Sequence, residues 1–297
     1  MTQHCGFAPV VGAPNAGKST LVNARVGQKA AIVSPKAQTT RTRLMGVAME
    51  GETQIILIDT PGIFAPTRRL DRAMVAAAWG SLEEAEAILV MIDAAAKLTG
   101  RVERVLEGIA NRPEKKYLIL NKVDLTKKDK LLTIATELNA KVAFDETFFI
   151  AASSGDGVPE LKAHLAKLMP EGPWHFPEDE VSDAPERMLA AEITREQLYR
   201  QLHEELPYQS TVETELFKTR PDGSAEIHQQ IFVARDNQRA IVLGKGGARI
   251  KEIGARARAE LTELMGRKVH LFLHVKVKEN WDEDRGVYRD MGLDWVD

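Results

Sequence analysis

The sequence predicts an α/β domain with a mostly parallel sheet, followed by a smaller α+β domain. Three observations support this prediction. A glycine-rich loop near the N-terminus lies between a short apolar segment, residues 7–11, and a segment that can form a helix, residues 20–26. Continuous apolar segments follow at Gln54–Ile58, Ala87–Asp93 and Lys116–Leu120, as is typical of parallel strands covered on both faces. The last third of the chain instead alternates apolar and polar residues, which indicates strands with one exposed face.

Length and composition are those of an ordinary globular protein. The chain has 297 residues, enough for two domains, and 28% of them are charged and 44% hydrophobic. The formal net charge of -3 gives no indication of a nucleic-acid partner. Cys5 is the single cysteine, so no disulfide framework is predicted and we expect an inert thiol. We also expect no signal peptide and no segment that spans a bilayer.

The N-terminal loop Gly12-Ala13-Pro14-Asn15-Ala16-Gly17-Lys18-Ser19 has the spacing G-x-x-x-x-G-K-S, which is typical of a phosphate-binding P-loop. Gly12 and Gly17 let the backbone wrap closely around phosphate oxygens, where a Cβ would collide. The loop amides and the N-terminus of the following helix direct positive charge at the anion. We therefore expect Lys18 to contact the outer phosphates and the Ser19 hydroxyl to bind Mg²⁺.

A polar stretch, Lys36–Arg43, follows the P-loop helix and is predicted to be a loop. In P-loop switch proteins a threonine in this loop binds Mg²⁺ and senses the γ-phosphate. Thr40 is our choice for this role, and Thr39 is the alternative.

The tetrapeptide Asp59-Thr60-Pro61-Gly62 comes directly after the apolar strand 54–58. Ligands bind at the carboxyl ends of such strands, so Asp59 can hold Mg²⁺ directly or through water, and the Gly62 amide can approach the γ-phosphate. Many such enzymes place a glutamine next, to orient the attacking water, but Ile63 cannot hydrogen-bond water. Unaided hydrolysis should be slow, or another group must do this work.

The tetrapeptide Asn121-Lys122-Val123-Asp124 ends a later strand and predicts specificity for guanine. The Asp124 carboxylate can accept hydrogen bonds from guanine N1–H and the 2-amino group, and adenine offers neither donor there. A site of this kind can reject the wrong base by about 10⁴-fold. We expect the Lys122 stem to cover the base plane and Asn121 to tie the loop together.

One more loop, Ala151-Ala152-Ser153, follows the last short strand of this domain, Phe148–Ile150. We expect the Ala152 backbone amide to donate to guanine O6. Alanine at 151 replaces the usual serine, which removes a side-chain hydrogen bond that would support the loop.

The second half has the predicted order α-β-β-α-α-β, with a first helix over 186–206 and a closing strand over 269–277. Between its two central helices lies Gly244-Lys245-Gly246-Gly247, the G-x-x-G of a KH domain, a module that clamps about four nucleotides of single-stranded RNA. Residues 235–278 contain eleven Lys or Arg and four Asp or Glu, a local net charge of +7. We expect Arg249 and Lys251 to contact RNA with this loop. The alternative is a glycine C-cap on a structural α+β domain.

We expect a first domain at 1–168, a linker at 169–185 and a second domain at 186–297. Residues 168–179 contain three prolines and a glycine, which disfavour helix and strand. Trp174 and Phe176 should pack on one domain, and acidic residues 178–180 should form a solvated face. Trp281 in the C-terminal tail should pack on the sheet of the second domain.

These motifs resemble the translation-factor-like GTPases. Four of them, GAPNAGKS, TTR, DTPG and NKVD, occur in order within residues 7–168, and the fifth departs from the family pattern at Ala151. The P-loop form with Asn15 and the hydrophobic Ile63 narrow the resemblance to the group of Era and MnmE. The KH-type second domain extends the resemblance to the Era family over nearly the whole chain.

This resemblance implies a cytoplasmic GTPase that binds GTP or GDP with Mg²⁺. It implies that Asn15 helps to bind a K⁺ ion beside the phosphates, and that Lys18, Asn15, Thr40 and Gly62 serve catalysis. It also implies binding near the 3′ end of the 16S ribosomal RNA in small-subunit assembly, and it is compatible with peripheral attachment to the inner membrane. We expect a monomer. The implied nucleotide contacts are Gly12, Ala13, Pro14, Asn15, Ala16, Gly17, Lys18, Ser19, Thr20, Asp59, Thr60, Pro61, Gly62, Asn121, Lys122, Asp124, Ala151, Ala152 and Ser153, with Ser19, Thr40 and Asp59 at the metal.

A different class stays open from the residues alone: a metabolic P-loop enzyme, such as a nucleotide kinase, with a structural second domain. The segment 121–124 argues against this alternative, because a nucleotide kinase needs no guanine-specific loop of this type.

Overall fold

The computed structural model describes residues 2–26, 31, 33, 39–83, 85–177 and 186–296. Residues 36–38 of the predicted polar loop and residues 178–185 of the predicted linker lie outside this set. The chain forms two compact units, Met1–Ala31 with Thr40–Asp183, and Ile32–Thr39 with Ala184–Asp297.

The first unit is an α/β structure with a six-stranded sheet of order β2-β3-β1-β4-β5-β6. Only β2 runs antiparallel, paired with β3, so the predicted mostly parallel sheet is confirmed. Its elements are β1 (His4–Gly12), α1 (Lys18–Val26), β2 (Leu44–Glu50), β3 (Thr53–Asp59), α2 (Arg69–Gly80), β4 (Ile88–Asp93), α3 (Gly100–Ala110), β5 (Lys116–Asn121), α4 (Lys128–Lys141), β6 (Glu146–Ile150) and α5 (Val158–Ala166).

Helices cover both faces of this sheet. Residues of α1 and α5 pack on one face, and residues of α2, α3 and α4 pack on the other. The central strands β3, β4 and β5 are buried almost throughout, which explains their continuous apolar sequences. Parallel strands bring their carboxyl ends to one edge, and the motif residues 12–19, 59–62 and 121–124 all lie there.

The residues after α5 are held against the first unit by Gln54, which is fully buried on β3. Its Oε1 accepts from the backbone N–H groups of His175 and Phe176, at 2.9 and 3.0 Å, and its Nε2 donates to the Phe176 carbonyl at 2.8 Å. Trp174 Nε1 donates to the Glu52 carbonyl at 3.1 Å. The side-chain amide of Gln54 thus pairs with the backbone N–H and C=O groups of this segment, as the backbone of a neighbouring strand would.

The second unit has the predicted order α-β-β-α-α-β, and its small sheet has the order β7-β8-β9. Strands β7 and β8 are antiparallel, and β8 and β9 are parallel. Helices α6 and α8 pack on one face of this sheet. The elements are α6 (Glu186–Gln201), β7 (Ser210–Thr219), β8 (Ala225–Val233), α7 (Asp236–Leu243), α8 (Ala248–Met265), β9 (Val269–Val277) and α9 (Arg285–Asp290).

Two details differ from the sequence expectation. Helix α6 ends at Gln201 instead of Leu206, although Leu202 and Leu206 are buried and so continue its apolar spacing. Glu204 has a φ of 54°, and Pro207 disfavours helical backbone at the residue before it. The tail contains the additional helix α9, which follows a 3₁₀ turn at Trp281–Glu283. Trp281 in that turn is buried, and its Nε1 donates to the Gln209 carbonyl at 3.0 Å.

Candidate functional site

The glycine-rich loop connects β1 to α1 and encloses the Lys18 side chain. Gly17 has a φ of 106°, and a Cβ there would lie 2.1 Å from Asn121 Nδ2, so the position requires glycine. Lys18 is buried, and its Nζ donates to the carbonyls of Gly12 and Ala13, at 3.3 and 3.1 Å. Desolvation lowers the pKa of Lys18 to about 8, against the opposing effect of Asp59. A phosphate in this loop would favour the charged form of Lys18.

Three oxygen-bearing side chains from separate segments meet beside this loop. Ser19 Oγ lies 2.6 Å from Asp59 Oδ2 and 2.8 Å from Thr40 Oγ1, and Thr40 Oγ1 lies 3.1 Å from the same Asp59 oxygen. Two hydroxyls and a carboxylate are the hard ligands that Mg²⁺ prefers. Of the two threonines left open by the sequence, Thr40 has its hydroxyl in this cluster.

The segment after β3 packs tightly against the phosphate loop. A Cβ on Gly62 would lie 2.7 Å from Pro14 Cγ and 2.8 Å from Pro14 Cα, so any larger residue would collide with the loop backbone. Thr60 Oγ1 donates to the Val10 carbonyl at 2.7 Å, and the Ile63 amide donates to the Gly12 carbonyl at 3.0 Å. The Ile63 side chain is fully buried in the hydrophobic core between the sheet and helices α2–α4. The Ile63 side chain therefore contributes to core packing.

The Asn121 side chain connects its own loop, 121–124, to the phosphate loop and to the loop at 151–153. Its Nδ2 donates to the Ala16 carbonyl in the phosphate loop at 2.8 Å, and its Oδ1 accepts from the Ala152 amide at 3.0 Å. The sequence expectation for Ala152 was a bond to guanine O6, whereas the structure pairs this N–H with Asn121. Since Ala151 has no hydrogen-bonding side chain, the Asn121–Ala152 bond fastens this loop.

Lys122 is held by Asp93, a residue to which the sequence analysis gave no functional role. Lys122 has a φ of 63°, and its Nζ lies 2.6 Å from Asp93 Oδ2 and 3.1 Å from the Asn15 carbonyl oxygen. The position of Asp93 at the end of a buried strand, beside the β5 motif, was the feature that could have revealed it. Asp124 lies in the 3₁₀ turn Val123–Leu125 and is exposed.

The second unit has an open glycine loop between α7 and α8. Gly246 and Gly247 have φ values of 59° and 76°, and a Cβ on either would meet no atom within 4 Å, so both face open space. Gly244 is different, because its Cβ would lie 2.8 Å from Arg249 Cβ. Arg249 Nη1 donates to the Ile241 carbonyl at 2.8 Å, which ties the two helices together across the loop. Lys251 is exposed on α8.

A cavity of about 370 Å³ adjoins this loop. It adds three residues, Gln201, Ala248 and Glu252, that the sequence did not indicate. The lining residues are Gln201, Gly244, Lys245, Ala248, Arg249 and Glu252.

Comparisons with known proteins find matches in both units of the chain. A family model described as 50S ribosome-binding GTPase matches residues 8–122, and a KH domain model matches residues 205–282. The chain is 61% identical to GTPase Era of Erythrobacter litoralis over 98% of this chain and 97% of that protein.

Two solved structures resemble the full chain. One is a crystal structure of Era in complex with MgGDPNP and nucleotides 1506–1542 of 16S ribosomal RNA, and the other is an Aquifex aeolicus Era variant bound to GDP and aluminium fluoride. Each has a TM-score of 0.92 and 39% sequence identity, with 98% of this chain and 99% of that chain covered. The chain therefore belongs to the Era family of GTPases.

Proposed function

We propose that this GTPase is a nucleotide-controlled switch that binds the 3′ end of 16S ribosomal RNA during assembly of the small ribosomal subunit. The proposal rests on one observation: the phosphate loop, Asp59 and the segment 121–124 meet at one sheet edge, in a chain that also carries an open G-x-x-G loop. The nucleotide-kinase alternative has no support, because the chain is 61% identical to a GTPase over 98% of its length.

Guanine recognition is assigned to Asp124. Its exposed carboxylate follows Lys122, whose stem is fixed by Asp93. Asp124→Asn should weaken GTP binding and favour a xanthine nucleotide, because xanthine offers a carbonyl acceptor where guanine offers its 2-amino donor. Titration calorimetry with GDP and XDP measures both affinities, and Asp129→Asn, an exposed change on α4, is the matched control. An unchanged affinity for GDP in Asp124→Asn would refute the assignment.

The cluster of Ser19, Thr40 and Asp59 suits Mg²⁺. A bound Mg²⁺ would neutralise negative charge on the phosphate oxygens. Ser19 and Thr40 supply neutral oxygens and Asp59 a negative one, and Asp59 also favours the charged form of Lys18. Ser19→Ala should weaken GTP binding in magnesium buffer while leaving binding in excess chelator little changed, which separates a metal ligand from a packing residue.

A K⁺ ion beside Asn15 is proposed to assist hydrolysis. Ile63 is buried in the core and cannot orient a water molecule, so transition-state charge needs another source of stabilisation. Hydrolysis should be faster in potassium than in sodium at equal ionic strength, and Asn15→Ala should remove the difference. Equal rates in the two salts would contradict this proposal.

The G-x-x-G loop is proposed to bind single-stranded RNA. Gly246 and Gly247 face open space, where an RNA backbone can approach closely. Replacing Lys245 and Gly246 with aspartate should abolish RNA binding in a filter assay and leave GDP affinity intact. Lys130→Asp, a charge reversal at an exposed position of α4, is the control. Normal RNA affinity in the double variant would refute the KH assignment.

The two activities are proposed to be coupled. The γ-phosphate can order the segments that hold Thr40 and Gly62. If this changes RNA affinity, then RNA must change nucleotide affinity by the same factor, typically about 5- to 150-fold. Paired titrations of RNA and nucleotide measure both factors. Identical RNA affinity with GDP and with a GTP analogue would show two independent modules.

We propose a cytoplasmic monomer with peripheral attachment to the inner membrane. In the part of the chain that the structure describes, no helix combines the length and apolar character needed to cross a bilayer. Attachment would therefore depend on surface contacts. Co-sedimentation with anionic vesicles and light scattering test attachment and oligomeric state.

A further inference from the structure

The sheet of the second unit has one face that the helices do not use. Inward residues of β8 and β9, such as Ile227 and Leu271, pack in the core with α6 and α8. Alternate residues point to the opposite, outer face. There the strand register aligns Leu216 with His228 and His228 with Phe272, so that these three side chains form a row across the three strands.

This row presents an exposed aromatic surface. The rings of Phe272 and His228 are stacked, with centroids 4.6 Å apart and planes inclined by 26°. Phe272 is 42% exposed and Leu216 is 38% exposed, and both are among the most exposed large apolar residues that the structure describes. We call Leu216, Lys218, His228, Phe272 and Lys276 the outer-face patch.

Neighbouring charges fix the orientation of the stacked pair. His228 Nε2 lies 3.0 Å from Glu226 Oε1, and Glu226 also interacts with Arg220 Nε at 2.6 Å and Lys218 Nζ at 3.2 Å. Hydrogen bonds from Arg220 first, and then from His228, lower the pKa of Glu226 to about 2. The carboxylate stays ionised at neutral pH and holds the imidazole against the Phe272 ring.

The charge around the stacked pair suits an anionic ligand. Lys218, Arg220 and Lys276 contribute three positive charges. Glu226 contributes one negative charge, and Glu213, which the strand register places on the same face, contributes another, so the face keeps a net positive charge. Lys276 is exposed and lies on the same face as Phe272, four residues further along β9. Beside Lys276 the sheet face is covered, because its partner in the strand register, Phe232, is buried under Lys278, which pairs with Asp284 at 2.7 Å.

We propose that the outer-face patch is a second contact for single-stranded RNA, with a base stacked on Phe272 and phosphates near Lys218 and Lys276. The combination of a stacked aromatic ring and flanking cations is how proteins hold unpaired bases without strict sequence preference. Helix α8 packs on the inner face of the sheet, so the patch is distinct from the G-x-x-G loop and extends the RNA contact beyond about four nucleotides. This inference rests on the RNA-binding function proposed above.

The test compares a four-nucleotide and a sixteen-nucleotide unstructured RNA on the full chain with a GTP analogue. Phe272→Ala should weaken binding of the long RNA by about 5- to 150-fold, which corresponds to about 1–3 kcal/mol for one stacked base. Affinity for the short RNA should not change, because it fits the glycine loop alone. Phe272→Tyr should keep the wild-type affinity, and Leu132→Ala, which removes an exposed apolar side chain from α4, is the matched control. Lys276→Gln should reduce the salt dependence of long-RNA binding by about one phosphate contact.

Three results would overturn the inference. Unchanged affinity of Phe272→Ala for the long RNA would show that no base stacks there. Equal loss for both RNAs would show that Phe272 acts through the glycine loop or the fold, which a thermal melt of the variant would distinguish. Full retention by Phe272→Leu would indicate an apolar contact, as expected for a protein partner. If the wild-type chain binds neither RNA, the proposed RNA function itself fails.

Discussion

Asn121→Ala provides the sharpest test of how the nucleotide site is assembled. The substitution removes a donor 2.8 Å from the Ala16 carbonyl and an acceptor 3.0 Å from the Ala152 amide, in a side chain that is 3% exposed. Each buried backbone group left without its partner costs about 1–3 kcal/mol, so the two together cost about 2–6 kcal/mol. This is a large part of the stability of a typical domain, about 5–15 kcal/mol.

Hydrogen exchange measured by mass spectrometry suits this test, because a chain with two units need not unfold in one step. Peptides covering β5, β6 and the phosphate loop should exchange faster in Asn121→Ala, by an amount that reports the lost free energy, and GDP affinity should fall. Asn139→Ala is the matched control, since the exposed Asn139 side chain donates to the Ala135 carbonyl in its own helix and to Thr147 Oγ1 on β6. If the free energy of local opening falls by less than about 1 kcal/mol, or by no more than in the control variant, Asn121 does not join the three loops.

Three further predictions follow from the first unit. The pKa of Lys18 is about 8 without ligand, and a bound phosphate should raise it, so GDP affinity should be constant below about pH 8 and fall by up to tenfold per pH unit above it. Calorimetry in buffers of different ionisation enthalpy should detect the proton uptake. A GDP affinity that does not change with pH would contradict the burial of Lys18. Gly62→Ala places a Cβ 2.8 Å from the Pro14 backbone, and relieving this overlap costs about 1–3 kcal/mol. GTP-analogue binding, measured by fluorescence titration, should therefore weaken by about 5- to 150-fold. An affinity within twofold of wild type would show that the phosphate loop shifts to accommodate the methyl group. Gln54→Leu leaves the amides of His175 and Phe176 without their acceptor and should expose residues 171–177 to limited proteolysis, whereas an unchanged cleavage rate would show that Trp174 alone holds the segment.

Local patterns were sufficient for much of the fold. Each of three motifs is an unbroken stretch of sequence that follows a continuous apolar strand: the phosphate loop, the 59–62 segment and the 121–124 segment. Their common sheet edge could therefore be predicted from the geometry of parallel strands. The α-β-β-α-α-β order of the second unit was also predictable, because its strands alternate with period two. Strand β2 was missed, since its sequence LMGVAME is short and neither continuously apolar nor strictly alternating.

The sequence by itself determined the chemical groups available: a lysine and serine in a glycine loop, a carboxylate after β3, a guanine-type motif after β5 and an open glycine loop in the second unit. Only the tertiary structure decided which groups meet. It brought the Thr40 hydroxyl to Ser19 and Asp59, connected Asn121 to Ala152 and buried Ile63 in the core. Such contacts join residues far apart in the chain, so they depend on how whole elements pack. A local pattern carries the identity of a side chain and its strand or helix, but not the neighbour it acquires when the sheet and its helices close around it.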